Sequence, residues 1–69
     1  MSVSYQKLWH ILIDRRISKT ELRKAINVSS STFAKLSNDE YIALTVVEKI
    51  CHELKCTPND ILEFTKAED

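Results

Sequence analysis

The sequence has no glycine and a single proline among its 69 residues. Without glycine it cannot form the glycine-rich loops that cradle phosphates in nucleotide-dependent enzymes. No apolar run approaches the roughly 20 residues that cross a membrane, and the N-terminus lacks the apolar core of a secretory signal. These absences favour a soluble protein with helices, short polar turns and no membrane association.

Cysteine is also scarce, with only Cys51 and Cys56 present and His52 beside the first of them. A structural zinc site needs four ligands, and a C-x4-C spacing without a second pair supplies too few. We therefore expect free thiols, as in a reducing cytoplasm, with neither a metal site nor a disulfide.

A chain of this length is near the lower limit for a core that folds without metal or disulfide. We expect one domain over residues 1–69, with a frayed tail at about 65–69. Neither a Ser/His/acid arrangement nor a pair of carboxylates in a credible pocket is visible. The sequence thus predicts no enzyme activity, no cofactor and no small-molecule ligand.

Apolar residues recur at helical spacing through most of the chain, which predicts an all-α fold of five helices. Ser4 is a candidate cap for a first helix at 4–15, and Thr45 with Glu48 resembles a capping box that opens the fourth. Thr57-Pro58 is typical of a helix start and predicts the fifth, which should contain Ile61, Leu62 and Phe64. The residues expected to form the core are Leu8, Trp9, Leu12, Leu22, Phe33, Leu36, Ile50, Cys51, Leu54, Ile61 and Leu62.

The most informative stretch is 18–38, which predicts two short helices joined by a tight turn. Ser18 and Glu21 have capping-box spacing, so a helix should begin near Lys19. Asn27 tolerates a left-handed conformation and should end that helix. Ser29 is then a good cap for the next helix, whose outward face carries small polar side chains.

The net charge is zero, which at first counts against nucleic-acid binding. The charges are nevertheless segregated along the chain. Residues 1–37 carry seven basic and two acidic side chains, a net charge of +5, whereas residues 38–69 carry three and eight, a net charge of −5. The basic half is the half that contains the 18–38 stretch.

The order and spacing of several short segments resemble the Cro/λ-repressor-like helix-turn-helix family of small XRE-type transcriptional regulators. The segments that carry this resemblance are Tyr5–Trp9, Leu12–Asp14, Lys19–Arg23, Val28–Thr32, Ala34–Leu36, Glu48–Cys51, Leu54–Cys56 and Asp60–Phe64. Arg23 and Asn27 depart from the family pattern, which usually has a small residue and glycine at these two positions. The resemblance implies a five-helix λ-repressor-like fold and sequence-specific binding to double-stranded DNA as a regulator, expected to be a repressor in a prokaryotic cytoplasm or nucleoid.

The resemblance also implies which side chains meet the DNA. The third helix would enter the major groove and read bases. The expected base-reading residues are Ser30, Ser31, Thr32 and Lys35, and the expected backbone contacts are Lys19, Ser29, Asn38, Arg15, Arg16 and Arg23. For Arg15 and Arg16, a role at the end of the first helix is an equal alternative, because a cation there opposes the helix dipole.

Two further expectations concern partners. One recognition helix reads few base pairs, so we expect a homodimer that presents two such helices about 34 Å apart. The connector after the third helix is acidic at Asp39 and Glu40, which should confine DNA contacts to residues 15–38 or keep affinity modest. That acidity and the neutral total leave an alternative open, namely a helical protein-interaction module such as an antitoxin-like or inhibitor partner.

Overall fold

The structure, a computed structural model, describes residues 2–66 and forms five helices bracketed by two short strands. None of the described helices has the length and apolar character needed to cross a membrane. The elements in chain order are β1 (Ser2–Ser4), α1 (Gln6–Arg15), α2 (Lys19–Ile26), α3 (Ser30–Ser37), α4 (Leu44–Leu54), α5 (Pro58–Ile61) and β2 (Glu63–Thr65). The five helices agree with the expectation, but the fold is all-α only approximately, because β1 and β2 form a sheet.

The sheet joins the two ends of the described chain. Strands β1 and β2 pair antiparallel with Val3 opposite Phe64. Leu62 has an extended backbone and leads directly into β2, so Leu62 and Phe64 lie outside the last helix in which they were expected. The predicted frayed tail at 65–69 begins inside β2 at Thr65, and residues 67–69 lie outside the described part of the chain.

The helix ends confirm some of the capping predictions and correct others. The predicted box of Ser18 and Glu21 forms, and at the start of α5 Asp60 Oδ2 accepts the Thr57 backbone N–H at 3.0 Å and the Thr57 hydroxyl at 3.1 Å. Ser4 is not the N-cap of α1, because it belongs to β1 and Tyr5 occupies that position, but Ser4 Oγ still accepts the backbone N–H of Gln6, the first residue of α1, at 3.3 Å.

The expected cap at Thr45 is also wrong. Helix α4 begins two residues earlier than a Thr45 cap would place it, at Leu44, and Ala43 takes the N-cap position without a side-chain hydrogen bond. The backbone N–H groups of Val46 and Val47 bond to the Ala43 carbonyl at 3.0 and 3.3 Å. Both valines are buried, so apolar burial sets this helix start in place of a polar cap.

The core lies where the inner faces of the helices meet. Its buried residues are Val3, Tyr5, Leu8, Leu12, Leu22, Ile26, Phe33, Leu36, Val46, Val47, Ile50, Leu54 and Ile61. Trp9, Cys51 and Leu62 were expected in this set but are only partly buried at its edge. Val3 enters it through the sheet, which the helical pattern did not predict.

Candidate nucleic-acid interface

The start of α2 is fixed by a reciprocal pair of hydrogen bonds. The Glu21 backbone N–H donates to Ser18 Oγ at 3.0 Å, and the Ser18 N–H donates to Glu21 Oε1 at 2.9 Å. Accepting this backbone bond lowers the pKa of the Glu21 carboxyl below its ordinary value. The cap places Lys19 at the first helical position, where its side chain is exposed.

The turn between α2 and α3 is a Schellman motif. Asn27 adopts the left-handed conformation, with φ 55° and ψ 53°. Its N–H donates to the Lys24 carbonyl at 3.2 Å, and the Val28 N–H donates to the Arg23 carbonyl at 3.4 Å. The predicted helix end at Asn27 is confirmed, and the partly buried Val28 packs against the core. Only two residues, Val28 and Ser29, therefore separate Asn27 from the first residue of α3.

The N-terminus of α3 carries a cluster of hydroxyl groups. Ser29 Oγ accepts the Thr32 N–H at 3.1 Å, which confirms Ser29 as the cap. The Ser31 and Thr32 hydroxyl oxygens lie 3.1 and 3.0 Å from the same oxygen. These short groups can donate to or accept from a ligand, and the unpaired N–H groups of the helix end favour an anion.

The two faces of α3 differ sharply. Phe33 and Leu36 are buried and hold the helix against the core. The side chains of Ser30, Ser31, Ala34 and Lys35 are exposed. Lys35 follows Ser31 by four residues, so the two side chains project from one face about one turn apart. Small side chains there leave the helix backbone accessible, and Lys35 adds a single charge.

The residues predicted to contact the DNA backbone do not form one group. Lys19 and Ser29 stand at the N-termini of α2 and α3, whereas Asn38 is the C-cap of α3. Arg15 Nη1 donates to the Leu54 carbonyl at 2.6 Å and so caps the end of α4. A guanidinium at a helix C-terminus interacts favourably with the helix dipole, so Arg15 has a structural role, but at the end of α4 and not at the end of α1 as the sequence suggested.

The other two arginines differ from each other in exposure. Arg16 is exposed and is the left-handed C-cap of α1, with φ 57°. The Arg23 side chain is half-buried on α2. Its carbonyl accepts hydrogen bonds in the turn toward α3.

The acidic connector after α3 is partly committed to the fold. Asp39 Oδ1 accepts the backbone N–H of Tyr5 at 3.2 Å, and the Tyr5 hydroxyl donates to the Glu40 carbonyl at 2.6 Å. Burial, followed by the Asp39 charge, raises the pKa of the Tyr5 phenol. One of the two acids is thereby tied to α1.

Sequence reasoning missed a contact that lies beside this surface. The Lys19 ammonium stands over the Trp9 ring, 4.3 Å from its centroid, and the Trp9 and Phe33 rings lie 6.1 Å apart. Trp9 was predicted to be a core residue from its position in the stripe of the first helix. Nothing local in the sequence indicates that a lysine ten residues away covers its ring.

Among residues 2–66, no three His, Cys, Asp or Glu side chains are arranged to hold a metal ion. Cys51 and Cys56 are both free and partly buried. Burial, and then the neighbouring Cys56 thiol, raise the pKa of the Cys51 thiol. Neither cysteine lies in α2, in α3 or in the turn between them.

Comparison with known proteins identifies the family. The profile of the Cro/C1-type HTH DNA-binding domain matches residues 7–67. An uncharacterised HTH-type transcriptional regulator of Bacillus subtilis, YozG, is 36% identical over 61 residues, which span 86% of this chain and 73% of YozG. The crystal structure of the transcriptional regulator VanUg, form II, superposes with a TM-score of 0.93 at 52% identity, over 96% of this chain and 88% of that one. The chain therefore belongs to the Cro/C1-type helix-turn-helix family of DNA-binding domains.

Proposed function

We propose that this domain binds double-stranded DNA sequence-specifically and regulates transcription, with α3 as its recognition helix. The observation that carries the proposal is the contrast between the buried and the exposed face of α3. Its inner face is locked into the core by Phe33 and Leu36, while its outer face presents hydroxyls and one lysine. In this family of motifs the second helix of the pair lies in the major groove with its N-terminal residues against the base edges.

Base reading is assigned to the exposed face and N-terminal turn of α3. Lys35 can donate to guanine O6 and N7, while the hydroxyls near the helix start reach base edges or phosphates at closer range. The base-reading set is Ser30, Ser31, Thr32 and Lys35.

Phosphate contacts are assigned to the helix ends around α3. Lys19 and Ser29 lie at two N-termini, where backbone N–H groups also favour phosphate, and Asn38 lies at the far end of α3. Arg16 and Arg23 add positive charge to this half of the domain. Arg15, whose guanidinium bonds to the Leu54 carbonyl, adds its positive charge to the same half of the domain without a direct phosphate contact.

We further propose that the protein acts as a homodimer on a two-fold site and represses by occupying it. An apolar surface supports the dimer: Tyr41, Leu44 and Phe64 are 62%, 83% and 60% exposed, and the Tyr41 and Phe64 rings lie 6.5 Å apart. Large exposed apolar groups that lie together commonly mark protein contacts. The alternative function, a protein-interaction module, uses the same surface to bind a different protein in place of a second copy of this chain.

Three matched alanine variants test the DNA-reading proposal. Lys35→Ala should lose about 1–3 kcal/mol of binding free energy and relax preference at one base pair. Lys19→Ala should weaken binding to all DNA sequences about equally, and it should reduce the slope of log affinity against log salt concentration by about one, the loss of one phosphate contact. Lys49→Ala removes the same charge from the exposed face of α4 and should leave both quantities nearly unchanged.

The measurement is a gel-shift titration at low and moderate salt, against the DNA upstream of the gene and against scrambled DNA. If Lys35→Ala binds like the parent with the same sequence preference and unchanged circular dichroism, α3 is not the reading helix.

Sedimentation of the protein alone and on a palindromic site tests the dimer, with Leu44→Glu as the variant expected to be monomeric. Loss of reporter expression on binding would support repression, and a gain would contradict it.

A further inference from the structure

Trp9 is the only tryptophan of the chain, and it joins three helices at the edge of the core. It belongs to α1 and is partly buried. The Lys19 ammonium, from the first turn of α2, lies 4.3 Å from its ring centroid. The Phe33 ring, from α3, is tilted by 57° against it at 6.1 Å. One indole thus contacts side chains from both helices of the DNA-binding motif.

The contact with Lys19 has the geometry of a cation–π interaction. A lysine within about 6 Å of an indole centroid is attracted to the negative face of the ring. The surface groove at this point is lined by Trp9, Leu12, Ile13, Ile17 and Lys19. None of these lining residues is acidic, so the ring is the group in the groove that attracts the ammonium.

Such a contact restricts a side chain that is otherwise among the most flexible. A free lysine loses rotamer freedom when it engages a phosphate, and a lysine already held in place loses less. The ring covers one side of the ammonium and leaves its other N–H donors toward solvent, because Lys19 remains exposed.

We propose that Trp9 is a positioning residue for DNA binding, which holds the Lys19 ammonium ready for a backbone phosphate and fixes it relative to α3 through Phe33. This inference rests on the proposed phosphate contact of Lys19. It goes beyond a packing role, since it requires the effect of Trp9 on DNA affinity to depend on the charge of Lys19.

A double-mutant cycle tests that dependence. Trp9→Leu keeps an apolar side chain but removes the aromatic face, whereas Trp9→Phe keeps a face. With Lys19 intact, Trp9→Leu should weaken DNA binding by about two- to fivefold, the range expected when a lysine side chain that was held in place must instead lose its rotamer freedom on binding, and Trp9→Phe should retain most of the affinity. In the Lys19→Met background, Trp9→Leu should cost no further affinity.

Fluorescence anisotropy with labelled duplex DNA gives the four affinities of the cycle and that of Trp9→Phe, and circular dichroism at the assay temperature checks that each variant is folded. An equal loss from Trp9→Leu in both backgrounds would reduce Trp9 to a structural role and overturn the inference. No loss with Lys19 intact would overturn it as well. If Lys19→Met itself binds like the parent, the phosphate contact fails, while the Lys35→Ala experiment still decides whether α3 reads DNA.

A measurement on the unmodified protein covers the case in which Trp9→Leu does not fold. The ring current of the indole should move the Lys19 Cε protons upfield in the NMR spectrum. The matched control is Lys49, an exposed lysine on α4, whose Cε protons should keep ordinary shifts. Identical Cε proton shifts for Lys19 and Lys49 would show that the ring does not hold the ammonium, and would overturn the inference.

Discussion

Replacing Tyr5 by phenylalanine should destabilise the domain by about 1 kcal/mol. The Tyr5 side chain is 1% exposed, and its hydroxyl donates to the Glu40 carbonyl at 2.6 Å. This bond ties the start of α1 to the connector that follows α3. Phenylalanine keeps the buried ring and removes only the donor, so the change isolates the hydrogen bond.

The magnitude follows from the surroundings of the bond. A hydrogen bond between neutral groups contributes about 0.5–1.5 kcal/mol net. Because Glu40 is an exposed residue, its carbonyl can bond to water when the hydroxyl is lost. The loss of stability should therefore be smaller than for a buried acceptor left without a partner. At about 2.1 cal/mol/K of unfolding entropy per residue, a loss of about 1 kcal/mol should lower Tm by about 7 °C in a chain of 69 residues.

The assay is thermal and urea unfolding followed by circular dichroism, with Tyr41→Phe as the matched control. Tyr41 is the other tyrosine of the chain and is 62% exposed, so loss of its hydroxyl should change stability by less than about 0.5 kcal/mol. Equal stability of the two variants would refute the reasoning, since it would mean that the Tyr5 hydroxyl makes no net contribution.

The pH dependence gives a second test of the same contact. The folded pKa of Tyr5 is raised, first by burial and then by Asp39, so the fold favours the neutral phenol. The stability linked to Tyr5 is therefore present at neutral pH and is lost as pH rises above about 10, where an unfolded tyrosine ionises. Tyr5→Phe should remove this alkaline component, and Tyr41→Phe should leave it in place.

Three further predictions concern helix ends and the core. The pKa of Glu21 is lowered because its carboxylate accepts the Ser18 N–H, so the stability that it contributes is present at neutral pH and is lost as pH falls below about 4. In urea unfolding, Glu21→Gln should lose less stability than the parent over this acid range, and an equal loss would contradict the prediction. Leu12 is 3% exposed and Ile13 is 72% exposed, so Leu12→Ala should cost about 2–5 kcal/mol and Ile13→Ala less than about 0.5, and the reverse order would be incompatible with the described α1. Lys55 ends α4 in the left-handed region at φ 54°, so Lys55→Gly should raise the unfolding free energy by about 0.5 kcal/mol, and a lowered Tm would indicate that the lysine side chain itself stabilises the fold.

The local signals of the 18–38 stretch were sufficient to predict its structure. The capping box of Ser18 and Glu21, the turn at left-handed Asn27 and the Ser29 cap all involve groups within five residues of one another. Each such interaction is a property of a short peptide and needs no distant partner. The alternation of buried and exposed positions along α3 follows in the same way from its helical period.

The errors lie where a distant segment competes with a local signal. Ser4 has the character of a cap, but β1 pairs with β2 some 60 residues later, with Ser4 opposite Glu63, and that pairing places the helix start beyond it. At the other end of the chain, pairing with β1 likewise keeps Leu62 and Phe64 out of the last helix. Each strand has only three residues, too few to show the alternation that predicts a strand, so neither segment indicates its distant partner.

The sequence by itself determined the helix-turn-helix, the segregation of charge and the family resemblance, because these depend on neighbours along the chain. Only the tertiary structure decided which candidate side chains are available for DNA. It commits Arg15 to the Leu54 carbonyl and Asp39 to the Tyr5 N–H, and it lays Lys19 over Trp9. Long charged side chains can reach several partners from one backbone position, so the choice among them is made by the packing of helices that are distant in sequence.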